Sequence, residues 1–254
     1  MTIDNLGSLY HLDGQFDKAL VRESYFRFLS FSYYCNVLIL SITIHSLVQD
    51  LYNEAWDIKK ETLGTKHADT VMMYGQIGRL YHDKGEVEKS LPFLETNLLL
   101  RQEILDLRHP QIVVAKSPLA ALLVDLGKYE DALKLAKESV ELRSDVLGNR
   151  HPYTAYSYDT LALAELGLGN IDAAEKAAQI SADIRTDVLG PSHPRCAVAH
   201  MTLAKVRSAQ GLGKEAIDEA AKAHTVNEAA LRVMHPFRKT TEDLLRDMVM
   251  KHPA

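Results

Sequence analysis

Two residue types return every 42 positions along this 254-residue chain, and that recurrence limits the possible folds more than any other feature. His67, His109, His151, His193 and His235 stand at equal steps, and Leu63, Leu105, Leu147, Leu189 and Leu231 each lie four residues before one of them. Four of these histidines precede a proline (Pro110, Pro152, Pro194, Pro236), and the first precedes Ala68. A fixed period of this length marks stacked supersecondary units, each too small to bury its own apolar face and each packed on its neighbours.

The chemistry at each step is that of one helix ending and another beginning. Leu-Gly occurs before the histidine at 63–64, 147–148 and 189–190. Glycine after an apolar-periodic run supplies the left-handed conformation that closes a helix. Proline suits the first helical turn, where its missing N–H has no intrahelical partner to lose. A second punctuation lies between these junctions, at Gly85, Gly127, Gly169 and Gly211. Each unit therefore reads as two helices, of about 16 and about 18 to 20 residues, joined at a glycine. Apolar residues follow helical spacing in both, as in Leu119, Leu122, Leu123 and in Ala132, Leu135, Ala136. The expected fold is all-α.

These units resemble tetratricopeptide repeats. The first reads Leu6-Gly7-x2-Tyr10 followed by Gly14-x-Phe16-x2-Ala19, and the second Ile77-Gly78-x2-Tyr81 followed by Gly85-x-Val87. Later copies keep small residues where paired helices approach: Ala120, Ala162, Ala204 in one helix and Ala132, Ala174, Ala216 in the other. The 42-residue length and the Leu-Gly-x2-His-Pro junction resemble the kinesin-light-chain variety. The resemblance implies an α-solenoid of about five helical hairpins plus a C-terminal helix, spanning nearly the whole chain outside residues 21–49. HEAT and armadillo repeats share the period but not this pattern of glycine and small residues.

Residues 21–49 break the rhythm. They hold six aromatics (Tyr25, Phe26, Phe28, Phe31, Tyr33, Tyr34) and only three charges, Arg22, Glu23 and Arg27. Removing them joins Leu20 to Asp50, restores the helical pattern of the second helix, and puts Gly7 and Gly78 at the common period. Three readings compete. The uncharged run from Phe28 to Ile44 is long enough for a short membrane span, but it would split one helical hairpin across a bilayer. It also reads as an insertion that captures a partner through its aromatics. The favoured expectation is a translated insert, such as an unspliced intron, with the helix restarting near Ser46 and running to about residue 62. The expected organisation is thus 1–20 and 50–67 as the two parts of repeat one, 21–49 as the insertion, 68–235 as repeats two to five, and 236–254 as a capping helix.

By register, Met1 falls inside the first turn of repeat one with nothing ahead of it to act as a cap, so the chain also reads as the tail of a longer protein. The alternative function follows from that: a repeat sensor from a larger signalling protein with a nucleotide-binding or hydrolase domain ahead of it. The chain's 29 Lys and Arg against 34 Asp and Glu leave a net charge of −5, and no clustered basic surface to displace counterions from nucleic acid. Two cysteines, Cys35 and Cys196, exclude a disulfide framework and fit a reducing, cytoplasmic setting.

No catalytic or nucleotide-binding motif is present: Gly211-Leu212-Gly213-Lys214 lacks the Walker spacing. The periodic histidines cannot share a metal, because successive units lie about 10 Å apart whereas His–metal bonds are about 2 Å. We expect no enzyme activity, no cofactor and no metal. The expected role is a non-catalytic scaffold that holds a protein or peptide partner in the concave groove lined by the first helix of each unit. Transferring the family's groove positions by register names Met72, Arg79, His82, Val114, Tyr156, Asp159, Met201 and Lys205 as partner-binding residues. The carboxylate clamp of chaperone-binding relatives is disfavoured, since its positions hold Asp4, Gly75, Ser117, Asp159 and Met201. The recurring asparagine of kinesin light chains is matched only by Asn5.

Overall fold

The structure, a computed structural model, describes residues 50–230 and 236–253, without the side chains of 236 and 237. The insertion, the first helix of repeat one, the helix restart near Ser46, Leu231 and His235 lie outside the described residues. Every regular element among those residues is an α-helix. They are α1 (50–63), α2 (Ala68–Asp83), α3 (Val87–Ile104), α4 (Pro110–Asp125), α5 (Tyr129–Leu147), α6 (Pro152–Gly167), α7 (Ile171–Leu189), α8 (Pro194–Ala209), α9 (Gly213–Ala230) and α10 (Pro236–Lys251). None of these helices is long and apolar enough to cross a membrane.

The four periodic histidines among the described residues are helix N-caps. His67, His109, His151 and His193 have extended backbone and precede α2, α4, α6 and α8. In each, imidazole Nδ1 accepts the backbone N–H two residues on, at 3.1 to 3.2 Å. A helix start leaves four N–H groups unpaired, and a side-chain acceptor at the cap satisfies one of them. Proline at the next position gives up a donor that had no use there.

The hairpin turns close in the same way each time. In repeat three, Lys128 N–H reaches Leu123 O at 2.8 Å and Gly127 N–H reaches Val124 O at 3.0 Å. This pair of bonds is a Schellman closure, and its C′ residue must adopt positive φ. Gly127 does so at φ 71. Where the long junction lacks its glycine, at Asp106, the second helix ends at Ile104, and Asp106 Oδ1 accepts Arg108 N–H at 2.8 Å instead. That exception coincides with a division of the chain into two compact units, Met1–Ile104 and Leu105–Ala254.

In the first unit the buried core is aliphatic, with Val71, Met73, Ile77 and Leu94 at its centre, and a half-buried aromatic cluster lies beside it. Trp56 of α1 packs edge-on to Tyr74 of α2 and Phe93 of α3, with centroids 5.4 and 6.0 Å apart, and Tyr81 lies against Phe93. Helices α2 and α3 touch closely because residue 78 is glycine: a methyl there would lie 2.6 Å from the Leu94 side chain. The register counterparts in later repeats are the buried alanines Ala120, Ala162 and Ala204.

The second unit is a stack of hairpins with an alanine-rich interior. Ala162, Ala174, Ala177, Ala178, Ala182 and Ala199 pack with Leu203 and Val206, and Ala204, Ala216, Ala220 and Met248 form a terminal cluster under α10. Small residues let helix axes approach, so burial is gained from backbone proximity rather than from large side chains. Each second helix packs on the first helix of the next hairpin, and the first helices α4, α6, α8 and α10 also touch in sequence. The second helices of successive hairpins make at most a marginal contact. A stack closer on one side must curve toward it, so the first helices line the inner side of this unit.

Candidate interaction surface

On α2 in the first unit, Met72 and Arg79 are exposed and His82 half-buried. Their spacing of seven and three residues places them along one helical face. In the second unit, Val114 of α4 and Tyr156 of α6 are 50% and 37% exposed, Met201 of α8 is half-buried and Lys205 exposed. Val114 and Tyr156 occupy the same register position of successive first helices, so the inner side of the stack offers two large apolar groups to solvent.

Asp159 requires a correction. The expectation put its carboxylate in the groove, but the residue is 4% exposed. Its Oδ2 pairs with Arg185 of α7, and its Oδ1 accepts the Ser181 hydroxyl at 2.5 Å. Arg185 Nη1 also donates to Ser181 Oγ at 2.6 Å. The carboxylate joins the two helices of its own hairpin and is not presented to a partner. Buried charged groups are stabilised by pairing and hydrogen bonds, and Asp159 and Arg185 supply both to each other, with only the Arg185 Nε left without a partner.

That pair belongs to a periodic feature that the register transfer missed. Lys59, Arg101, Arg143, Arg185 and Asn227 stand 42 apart on the second helices, and all are buried. The signal was present in the letters, since a long basic residue returning at the period of the core is unusual for a solvated face. Arg101 Nε donates to Asn97 Oδ1 at 2.9 Å; burial, and then the like charge of Arg79, push its pKa below the ordinary arginine value. Arg143 is also pushed down by burial, an effect partly offset by the neighbouring Tyr156 and Tyr153. Its Nη1 donates to Tyr153 O at 2.7 Å and Ser157 Oγ at 2.8 Å.

The Arg143 guanidinium lies 5.5 Å from the Tyr156 ring and 5.9 Å from the Tyr153 ring, within range of a cation–π contact. So Tyr156 stands on a cation of the preceding hairpin. Cys196 offers no nucleophile: it is buried, its thiol meets Gly190 O at 3.2 Å, and desolvation raises its pKa.

Residues 111–179 match the tetratricopeptide-repeat family model. No curated protein matches the chain in sequence. Among solved structures, the chain is similar to the nearly identical TPR-like repeats of a kinesin light chain from Podosopora anserina, with 21% identity, a TM-score of 0.59, and coverage of 72% of this chain and 86% of that one. It is similar to the apo form of RapI, with 14% identity, a TM-score of 0.60, and coverage of 86% and 83%. A Rap protein complexed with Competence and Sporulation Factor gives 15% identity and a TM-score of 0.57, covering 85% of this chain and 63% of that one. At such identities the likeness is one of fold, and it agrees with the hairpins, caps and period seen here. Residues 111–179 are thus tetratricopeptide repeats by their match to the family model, and the chain is similar in fold to the TPR-like repeats of a kinesin light chain.

Proposed function

We propose that this chain is a non-catalytic interaction scaffold that holds an extended peptide on the first-helix side of its hairpins. The fold is one used for protein–protein interaction, and one structural neighbour was solved with a bound factor. The observation that carries the reading is the exposure of Val114 and Tyr156 at one register position on the inner side of the second unit. Apolar groups gathered on a concave surface and left in water mark a binding face more often than chance. Met201 extends that face, and Lys205 borders it with charge. In the first unit, Met72, Arg79 and His82 form a separate contact strip on α2. The mildly acidic, cysteine-poor composition supports a cytoplasmic setting for this role.

The test is selection of binders from a random twelve-residue peptide library by the full chain, followed by affinity measurement on variants. Tyr156→Ala and Lys205→Glu are expected to weaken the selected peptides at least about tenfold. Val146→Ala, on the outward-facing α5 where Val146 is 45% exposed, is expected to change nothing. Peptides that ignore both inner-side changes would refute the assignment of this face.

A further inference from the structure

Four helices of this molecule begin on a neutral imidazole. Nδ1 of His67, His109, His151 and His193 accepts a backbone N–H at 3.1 to 3.2 Å, so that nitrogen holds no proton and Nε2 holds one. The oxygens of serine, threonine and asparagine caps keep their lone pairs across the physiological pH range, whereas an imidazole does not. A proton on Nδ1 turns the acceptor into a donor facing another donor. It also puts a positive charge at the end of the helix where the dipole is already positive. The rings are open to solvent protons, His67 and His109 being exposed and His151 and His193 half-buried.

An anion beside the ring would offset these losses. The first turns of α4, α6 and α8 contain no acidic residue, while that of α2 has Asp69. From the second helix of the same hairpin, Glu103, Asp145 and Asp187 reach the junctions. Each is already paired with the basic residue just before the histidine: Lys66, Arg108 and Arg150. Asp106, ahead of His109, accepts the Arg108 N–H. At His193 the register counterparts are Ser192 and Ala229, and neither charge is present. The Tyr153 ring stacks on His151 at 5.5 Å, and the groups over that ring are cations, Arg143 and Arg195. Among the described residues none of the four cap rings forms an ion pair with a carboxylate. Two histidines outside the junctions do, His200 with Glu219 at 2.7 Å and His224 with Glu228 at 3.9 Å.

We propose that the junctions form a proton-sensitive array, in which acidification through the ordinary imidazole range, about pH 6.5, uncaps the hairpins together and loosens each stack. The caps contribute fully above that range and are lost as pH falls through it. Stability in stacked repeats is close to a sum over units and their nearest neighbours, so equal small losses at each junction add along the chain. Protonation of His200 and His224 acts in the opposite sense, by strengthening their pairs with Glu219 and Glu228. The capped helices are the first helices, so the elements lining the inner side of the second unit are the ones that respond.

The experiment follows thermal unfolding of the full chain at about pH 7.5 and about pH 5.5, on either side of the imidazole range. The midpoint is expected to fall by at least about 5 °C at the lower pH. Asparagine accepts the same N–H at both pH values. The triple variant His109→Asn, His151→Asn, His193→Asn should therefore match the unaltered chain at the higher pH and lose at least about half of the fall. The paired histidines are unchanged in that variant, so the difference isolates the caps. His151→Asn alone should remove a smaller share of the fall and serves if the triple variant does not fold. Long-range proton–nitrogen NMR of the unaltered chain should show Nδ1 of the cap rings unprotonated at the higher pH. A triple variant, or His151→Asn in its place, that falls as far as the unaltered chain would overturn the proposal. So would a midpoint that ignores pH, or cap rings that carry their proton on Nδ1 at the higher pH.

Discussion

Repeats three and four are built on the same plan and differ at the charge inside them. Both begin with a histidine cap, turn on a left-handed glycine and end with an arginine buried on the second helix. In repeat four that arginine is held by Asp159 within the hairpin; in repeat three the corresponding Arg143 reaches out to the next hairpin and lies beneath two exposed tyrosines. The features the repeats share close helices, and they make the fold. The feature in which they differ changes what is offered to a partner. In a stack of equivalent units, individuality at one register position is where binding chemistry can be placed without disturbing the architecture.

The comparison can be broken most forcefully at the complete site. Asp159→Ala leaves Arg185 buried without an anion and should lower stability by about 3–5 kcal/mol, read as a fall in the urea midpoint of unfolding. The caps give a smaller and symmetrical effect. His109→Ala and His151→Ala should each cost about 1 kcal/mol and shift the thermal midpoint equally, since the two Nδ1 bonds are alike at 3.1 Å. Unequal losses would mean that the repeats differ in scaffold as well as in charge.

Arg143→Met sharpens the contrast with repeat four. It removes a buried cation that has no anion to orphan, so the change should stay within about 1 kcal/mol in either direction. Smallest of all should be Arg108→Ala and Arg150→Ala. These arginines pair with Asp145 and Asp187 across the open side of each hairpin, but all four side chains are largely exposed. Pairs of that kind contribute about 0–1 kcal/mol, and double-mutant cycles should place both near the lower end.

The architecture was legible because its causes are local and repeated. A glycine where φ must be positive, a proline where no donor is needed and alanines where helices meet each leave a mark in the letters, and the period multiplies it. The histidines were seen as junction residues, but their role as N-cap acceptors was not, because the usual cap residues are serine, threonine, aspartate and asparagine. The site was less legible. Register placed Val114, Tyr156 and Lys205 on exposed first-helix positions, yet it also placed Asp159 there. The position is an inward one, with Ser117 at 3% exposure in repeat three and Met201 half-buried in repeat five, and in repeat four the carboxylate there is held by a buried arginine. That outcome depends on the pairing of residues 26 positions apart, on two helices, and no single-helix pattern shows it. The column from Lys59 to Asn227 is visible in the letters as a period, but long basic side chains ordinarily lie in solvent, so its burial is not.

Hydrogen exchange on the full chain, with and without a peptide selected by it, tests the binding face most directly. Binding on the first-helix side predicts added protection in α4, α6 and α8, with α5, α7 and α9 unchanged. Protection confined to the second helices, or none at saturating peptide, would contradict it.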